Sequence, residues 1–203
     1  MNKLQLDDLY PLEVYARLRA DFRARVIEHK AHRKVHLGEH VSLLFEDRLT
    51  MHYQVQEMLR AEKLFEPAEI AEELAAYNPL IPDGQNWKAT MLIEYPDPKE
   101  RHAALAQLIG IEAQVWMRVE GFDPVIAIAD EDLERATEEK TSAVHFLRFE
   151  LTDGMVAALQ AGASLSAGCG HPHYTITAAV SEAGRESLIA DLDPPGAADN
   201  NRD

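Results

Sequence analysis

Cysteine is almost absent from this sequence, which holds only Cys169 in 203 residues. A single cysteine excludes an intramolecular disulfide framework and is typical of a reducing compartment. Long apolar runs are missing too, since no stretch approaches the roughly 18 apolar residues that a membrane span requires. Residues 1–8 lack the charged and then apolar order of a secretory signal. We therefore expect a cytoplasmic protein without membrane association.

Positive charge is scarce. The chain has 20 Lys and Arg residues against 35 Asp and Glu residues, which gives a formal net charge of −15. Sequence-independent binding to DNA or RNA needs a clustered positive field, so we do not expect a nucleic-acid partner. The run 17–34 is the local exception because it is rich in Arg and Lys. It is either a solvated helix face, as such runs commonly are, or a basic patch.

Several catalytic and cofactor motifs are missing. The sequence has no Gly-x-x-x-x-Gly-Lys phosphate loop, no Gly-x-Gly-x-x-Gly fingerprint and no Gly-x-Ser-x-Gly elbow. The Glu-x-x-His pattern of ferritin-like di-iron proteins is absent at Glu57, because Arg60 follows three residues later. The sequence therefore gives no support to these enzyme and cofactor classes.

Apolar residues at three- and four-residue steps predict helices in the first part of the chain. The first helix is predicted from Pro11 to about Lys30, and the second over most of 41–63. Pro67 opens a third helix, which ends at Asn78 because the residue before Pro79 disfavours the α conformation.

The later part of the chain changes to the period of two that is typical of strands. Strands are predicted at 87–95, 115–119, 125–129, 143–151 and 174–180, with a charged helical segment at 130–140 and a final helix from Ser181 to Leu192. Tight connections between strands favour antiparallel pairing. We predict an α+β fold in which N-terminal helices pack on a mostly antiparallel sheet with interspersed short helices. It forms a single domain, 1–192, with a helical part at 8–78, a sheet-rich part at 86–192 and a disordered tail at 193–203.

A polar stripe accompanies the apolar face of the predicted second helix. It consists of Glu46, Tyr53, Glu57 and Arg60. If this stripe faces the sheet, Glu94 and Arg148 meet it, and the six residues form a candidate polar pocket. Buried charged clusters of this kind shift pKa values and often mark functional sites. They also serve as purely structural networks, and the sequence leaves both interpretations open.

The turn at 169–173 is the main candidate for metal binding. His171 and His173 lie two residues apart, so that both can face one ion, and Cys169 is close by. Zinc or iron would suit these ligands, with Glu94 or Glu57 completing the set. The other interpretation is a turn in which His171 hydrogen-bonds to the backbone. Cys169 with a neighbouring histidine as base is a weaker nucleophile hypothesis.

A second group of histidines lies earlier in the chain. His29, His32, His36 and His40 would share a face if the first helix continued, and His32 with His36 has the spacing of a helical metal pair. Gly38 and the short apolar run before it indicate that the helix does not continue. A surface cluster among Arg and Lys residues is therefore the favoured interpretation.

Several segments resemble an uncharacterised bacterial family, domain of unknown function 3501. The resemblance is carried by residues 41–63, 77–80, 89–95, 142–149 and 171–174, and it spans about residues 8–192. His52 and His145 depart from the residues expected at their positions. Genes of the family lie beside those of rubrerythrin-like proteins and iron–sulfur oxidoreductases. The resemblance thus implies a role in iron or oxidative-stress metabolism.

Two functions follow as hypotheses. In the first, the protein is an accessory or binding protein that works with a redox or iron–sulfur protein partner through its helical face. In the second, it is a metal-dependent enzyme. There His171 binds the metal and a pocket of Glu57, Arg60 and Arg148 holds a small anionic substrate.

Overall fold

The computed structural model describes residues 2–129 and 140–193. Its helices are α1 (Leu12–Ala31), α2 (Arg48–Glu62), α3 (Pro67–Tyr77), α4 (Pro98–Gln107), α5 (Asp153–Gln160) and α6 (Glu182–Ile189). Its strands are β1 (Lys34–Leu37), β2 (Val41–Glu46), β3 (Asn86–Ile93), β4 (Val115–Val119), β5 (Val125–Ile126), β6 (Ile128–Ala129), β7 (Val144–Glu150), β8 (Leu165–His171) and β9 (Tyr174–Ala179). The predicted α+β class is confirmed.

The strands form two antiparallel sheets rather than the one predicted. The five-stranded sheet has the order β1-β2-β3-β7-β6, and the four-stranded sheet has the order β5-β4-β8-β9. Only Ala127 separates β5 from β6, and its N–H donates to Val115 O at 2.8 Å. One extended segment therefore passes from one sheet into the other. At the far edges, β1 lies against β8 and β9.

The largest apolar cluster lies between the two sheets. In β2 the buried residues Val41, Leu43 and Phe45 face this core, alternating with Ser42, Leu44 and Glu46 on the opposite face. Strands β3 and β7 alternate in the same way and are paired in register with β2 and with each other. We call the face of the five-stranded sheet that points away from this core the outer face.

The helices α1 to α3 have apolar clusters of their own. Met51, Val55 and Leu59 of α2 pack with Leu74 of α3, and a separate cluster contains Tyr15, Phe22 and Val26 of α1. The starts of α1 and α3 agree with the predicted ones, because Pro11 and Pro67 stand at or just before the first turn of each helix. Among the described residues, no helix has both the length and the hydrophobicity needed to cross a membrane.

The predicted helix over 41–63 is wrong in its first part. Residues 41–46 form β2, and Asp47 then caps α2 by accepting a hydrogen bond from Thr50 N at 2.9 Å. Val41, Leu44 and Phe45 fit a helical period, whereas Val41, Leu43 and Phe45 fit an alternating one, so the pattern was ambiguous. Pairing with β1 and β3 decides in favour of the strand.

Two further differences concern the second half of the chain. Strand β8 was not predicted, because two of its central residues, Gly168 and Gly170, weaken the strand pattern. The predicted helical segment 130–140 falls outside the described residues except for Lys140, and the predicted disordered tail falls outside them from residue 194.

Candidate functional site

Half of the predicted polar pocket joins α2 to α1. Glu57 accepts two hydrogen bonds from Arg19, both at 2.8 Å, and a third from the buried Tyr15 hydroxyl at 2.7 Å. Arg60 lies 3.6 Å from the same carboxylate. We call Tyr15, Arg19, Glu57 and Arg60 the helix pin. Tyr53 packs beside it, with its ring 5.9 Å from that of Phe22.

The helix pin controls the ionisation of its own members. Hydrogen bonds from Arg19 lower the pKa of Glu57 to about 2, with the Tyr15 hydroxyl acting in the same direction and partial burial opposing them. Burial, followed by the hydrogen bond to Glu57, raises the pKa of Tyr15. Both groups are thus held in one protonation state near neutral pH, which suits a structural role.

The other three residues of the predicted pocket lie on the outer face of the five-stranded sheet. Glu46 ends β2, Glu94 follows β3, and Arg148 is in β7, where it pairs with Glu150. The structure therefore separates the six residues into two groups. The reason is that Glu46 belongs to a strand, so that it does not continue the stripe of α2.

Glu46 is nearly fully buried. Its Oε1 accepts a hydrogen bond from Thr90 at 2.8 Å. Among the described residues, buried side-chain atoms without a hydrogen-bond partner are Glu46 Oε2 and His52 Nε2. Burial, with Arg48 next in size, lowers the pKa of His52, whose ring packs against Tyr10 and Phe22. His145 Nε2 lies 2.9 Å from Thr141 Oγ1.

The His171 turn is organised by backbone hydrogen bonds. His171 Nδ1 accepts from His173 N at 3.2 Å, so Nε2 carries the proton and donates to Ile109 O, also at 3.2 Å. Both ring nitrogens are therefore engaged in the fold. Cys169 is buried in the core, and burial raises the pKa of its thiol. The described residues include no group of three or more His, Cys, Asp or Glu side chains able to hold a metal ion.

A second enclosed cluster was not predicted. Arg33, which is 1% exposed, donates to the carbonyls of Phe45, Glu46 and Ser187 at 3.0–3.2 Å and pairs with Asp191 of the chain after α6. Asp47 lies 3.6 Å from its Nε and binds His29 Nε2 at 2.5 Å. We call His29, Arg33, Asp47 and Asp191 the arginine hub, which joins α1, α2, β2 and α6.

Within the arginine hub, desolvation is the largest effect on the pKa of Asp191. Burial raises the pKa of Asp191 to about 6, although Arg33 acts in the opposite direction. Nothing local in the sequence predicts this cluster, since Arg33 and Asp191 are 158 residues apart. The only available signal was the capping pattern Asp47-x-x-Thr50, which marks the start of α2.

An open groove of about 840 Å³ lies at one end of the outer face. We call it the sheet-face groove. Its lining is Lys34, His36, Glu39, His40, Leu92, Ile93, Glu94, Tyr95, Pro96, Arg101, Ala143 and Val144. Of the predicted pocket residues it contains only Glu94, and of the early histidines it contains His36 and His40.

One hydrogen bond and one ion pair hold the Glu94 carboxylate in the sheet-face groove. Glu94 Oε2 accepts from Ser42 Oγ at 2.8 Å and lies 3.5 Å from Lys34 Nζ. The Ser42 hydrogen bond is the largest cause that lowers the pKa of Glu94, followed by Lys34, with His36 contributing less. Glu94 thereby stays ionised and holds the ammonium group of Lys34 at the groove.

A stacked pair of rings forms another part of the groove. The ring centroids of His40 and Tyr95 are 3.9 Å apart and the planes are 16° from parallel. His40 Nδ1 lies 3.1 Å from Glu94 O, and Glu94 N donates to His40 O at 2.7 Å. Gly38 has φ +72°, and its turn passes close to the Tyr174 hydroxyl, which donates to Leu37 O at 2.6 Å. This turn brings His40 to Tyr95.

Arg101 supplies the most available positive charge. It is exposed on α4, lines the sheet-face groove and forms no ion pair within residues 2–129 and 140–193. Sequence reasoning missed Arg101 because one exposed arginine on a short helix carries no pattern. The groove as a whole can offer cationic donors, a flat ring surface and partly apolar walls.

Comparisons with known proteins agree with the resemblance seen in the sequence. No curated protein matches the chain. A crystal structure of a novel protein of unknown function from Burkholderia pseudomallei K96243 is 56% identical, with a TM-score of 0.90, and the match covers 95% of this chain and 100% of that one. A family model matches residues 3–192. The chain therefore belongs to the family described as Protein of unknown function (DUF3501).

Proposed function

We propose that this protein is an accessory binding protein of iron or redox metabolism, and that it holds a small anionic ligand in the sheet-face groove. One observation carries the ligand class. In a chain of net charge −15, Arg101 lines the groove without an ion pair among the described residues, next to Lys34, which pairs with Glu94. His36, His40 and Glu39 complete the polar lining. Cationic groups in a concave site attract anions from solution.

The shape of the groove suits a small ligand rather than a large surface. Its volume of about 840 Å³ falls in the range of pockets for small molecules and cofactors. The stacked His40 and Tyr95 rings and the apolar residues Leu92 and Val144 would contact the uncharged part of the ligand. Arg101 would bind a carboxylate or phosphate group through its planar guanidinium.

The ligand proposal is tested by an NMR titration with two small-anion probes, inorganic phosphate and succinate. We expect the backbone amide signals of residues 34–40, 92–96 and 101 to move with a shared saturation curve. The exposed basic residues of α1, such as Arg23, are the internal control. Shifts confined to α1, or the same shifts in the variant Arg101→Gln, would contradict the proposal.

The association with iron or redox metabolism is supported by the gene neighbourhood that the family resemblance implies. It is tested by purifying the tagged protein from its own cells under native conditions and identifying its partners by mass spectrometry. We expect an iron–sulfur or rubrerythrin-like protein in stoichiometric amounts. Partners that include no redox or iron-handling protein would refute this association and leave the anion site standing.

No observation favours the second hypothesis, a metal-dependent enzyme built on His171. Its proposed ligand uses both ring nitrogens for backbone hydrogen bonds. Its anion pocket is divided, since Glu57 and Arg60 belong to the helix pin whereas Arg148 lies on the outer face. Emission spectrometry of the metal content tests this hypothesis, which requires near-stoichiometric iron or zinc in the purified protein and its loss in His171→Ala.

A further inference from the structure

The helical part of the protein contains a second groove, which shares no residue with the sheet-face groove. It has a volume of about 470 Å³ and lies between the segment 6–13, the end of α2 and the start of α3. Its walls are mainly apolar, with Leu59, Leu64 and Ile70 on one side. Phe65 and Leu6 line it while remaining 68% and 47% exposed.

The link between α2 and α3 explains why Phe65 is exposed. Lys63 ends α2 in the left-handed conformation, with φ 58°, and its N–H donates to Leu59 O. Leu64 then turns inward and packs on the apolar cluster of α2 and α3. Pro67 starts α3, so Phe65 lies on a short link fixed at both ends and projects outward.

The segments that form this groove are strongly acidic. The segment 6–13 carries Asp7, Asp8 and Glu13, and the segment 59–73 carries Glu62, Glu66, Glu69, Glu72 and Glu73. The basic residues of these segments are Arg60, which lies 3.6 Å from Glu57, and Lys63. Arg48 of α2 pairs with Asp8 at 2.7 Å, so the other acidic residues supply the net negative charge. The charges of Glu62 and Glu72, together with burial, which is the largest cause, raise the pKa of Glu73. Of the acidic residues, Glu13 lines the groove itself, and the others lie in the segments that carry its lining. We call this site the acid-rimmed groove.

We propose that the acid-rimmed groove docks a basic amphipathic helix of a partner protein. An exposed phenylalanine beside an apolar groove provides contacts for the apolar face of a helix, as in other helix-in-groove complexes. The acidic rim then faces the Lys and Arg residues on the flanks of that helix and speeds its association. This inference does not depend on the ligand of the sheet-face groove.

Charge decides between this occupant and a second copy of the chain. Two copies meeting through this groove would bring one acidic rim against another, and like charges across an interface oppose association. A basic helix removes that repulsion and still covers Phe65. The structure thus favours a partner with Lys or Arg residues beside leucine-sized apolar ones.

The test uses the full chain and a fluorescent model peptide of about 14 residues, in which leucines form one face of a helix and lysines form the other. We expect saturable binding by fluorescence anisotropy, and weaker binding as sodium chloride rises from about 50 to about 300 mM. The variants Phe65→Ala and Glu66→Lys/Glu69→Lys should each weaken binding about tenfold. All three positions are exposed, so Phe65→Ala should leave the melting temperature unchanged. The two lysines lie at the start of α3, where they oppose the helix dipole, so the double variant should melt at a slightly lower temperature while remaining folded.

Matched controls separate docking from simple charge attraction. A peptide with the same lysines but serine in place of leucine should not bind, and Arg23→Ala, on the exposed side of α1, should leave binding unchanged. Equal binding of the serine peptide, or unchanged binding by Phe65→Ala, would overturn the proposal. So would a dimer in light scattering that Phe65→Ala abolishes, because the occupant would then be a second copy.

Discussion

The helix pin and the sheet-face groove use similar side chains in opposite ways. In the helix pin, Glu57 is surrounded by donors from Arg19, Tyr15 and Arg60, so its charge is matched within the fold. In the sheet-face groove, Glu94 pairs with Lys34, while Arg101 remains exposed at the opening. A charged residue that the fold has already paired stabilises structure, whereas one left at a concave surface is available to a ligand.

The arginine hub adds a contrast between enclosed clusters. Glu57 is partly solvated and receives strong hydrogen bonds, so its pKa falls to about 2. Asp191 is almost completely buried, and desolvation outweighs its ion pair with Arg33, so its pKa rises to about 6. The arginine favours the ionised carboxylate at both junctions, but at Asp191 desolvation is the larger effect and shifts the pKa upward.

The largest effect is expected from breaking the arginine hub. Arg33→Met removes the donors to Phe45 O, Glu46 O and Ser187 O and leaves Asp191 buried without its cation. We expect the free energy of unfolding to fall by about 3–5 kcal/mol in urea denaturation. Adding Asp191→Asn should restore part of the loss. Arg23→Ala, at an exposed position of α1, is the control. If Arg33→Met lowered the free energy of unfolding no more than this control does, the role of the arginine hub would be contradicted.

A smaller loss is expected from weakening the helix pin. Glu57→Gln keeps an acceptor for the Tyr15 hydroxyl but loses the second bond and the charge that hold Arg19. We expect about 1–2 kcal/mol of destabilisation at neutral pH. Because the pKa of Glu57 is lowered to about 2, its stabilisation is present above its unfolded pKa and is lost as the pH falls. The difference between the variant and the native protein should therefore shrink in acid, and a constant difference would argue against the pairing.

Asp191 should show the opposite pH dependence. Its pKa of about 6 lies above the ordinary value of 3.8, so the folded state binds the proton more tightly than the unfolded state. Its contribution therefore declines, by on the order of 3 kcal/mol, as the pH rises from about 4 to about 7. Asp191→Asn should remove that decline. If the free energies of unfolding of the native protein and of Asp191→Asn changed equally across this pH range, desolvation would not be the dominant effect on Asp191.

The smallest effects on stability are expected in the sheet-face groove. Arg101 and Glu94 are exposed, so Arg101→Gln and Glu94→Gln should each change the free energy of unfolding by less than about 1 kcal/mol. Thermal and urea denaturation measure this. A loss comparable to that of Glu57→Gln would place these residues in the fold rather than in a binding site.

The local sequence pattern predicted much of the fold but few of the residues that line the sheet-face groove. Strand β3 was predictable because Trp87, Ala89 and Met91 alternate with polar or half-buried residues, and α3 was predictable from Pro67 and Asn78. Strand β2 was not, because its apolar residues fit two periods and only the pairing with β3 separates them. Residues brought together by such pairing share no local signal.

The helix pin and the sheet-face groove show the same difference between local contacts, which the sequence predicts, and contacts between distant segments, which it does not. Glu57 and Arg60 approach each other because they are three residues apart on one helix, a relation that the sequence contains. The sheet-face groove instead combines β1, the turn after it, the end of β3, α4 and the start of β7. Its existence depends on sheet order, which periodicity does not contain.

The most direct test of the account is isothermal titration calorimetry of inorganic phosphate and succinate against two variants with opposite effects on charge. Glu94→Gln removes a negative charge from the sheet-face groove and should tighten binding, whereas Arg101→Gln removes a positive charge and should weaken it, each by about three- to tenfold. Arg23→Gln makes the same charge change as Arg101→Gln on an exposed helix face and should have no effect. Equal weakening by Arg23→Gln and Arg101→Gln, or no response to Glu94→Gln, would show that the anion is not bound in this groove.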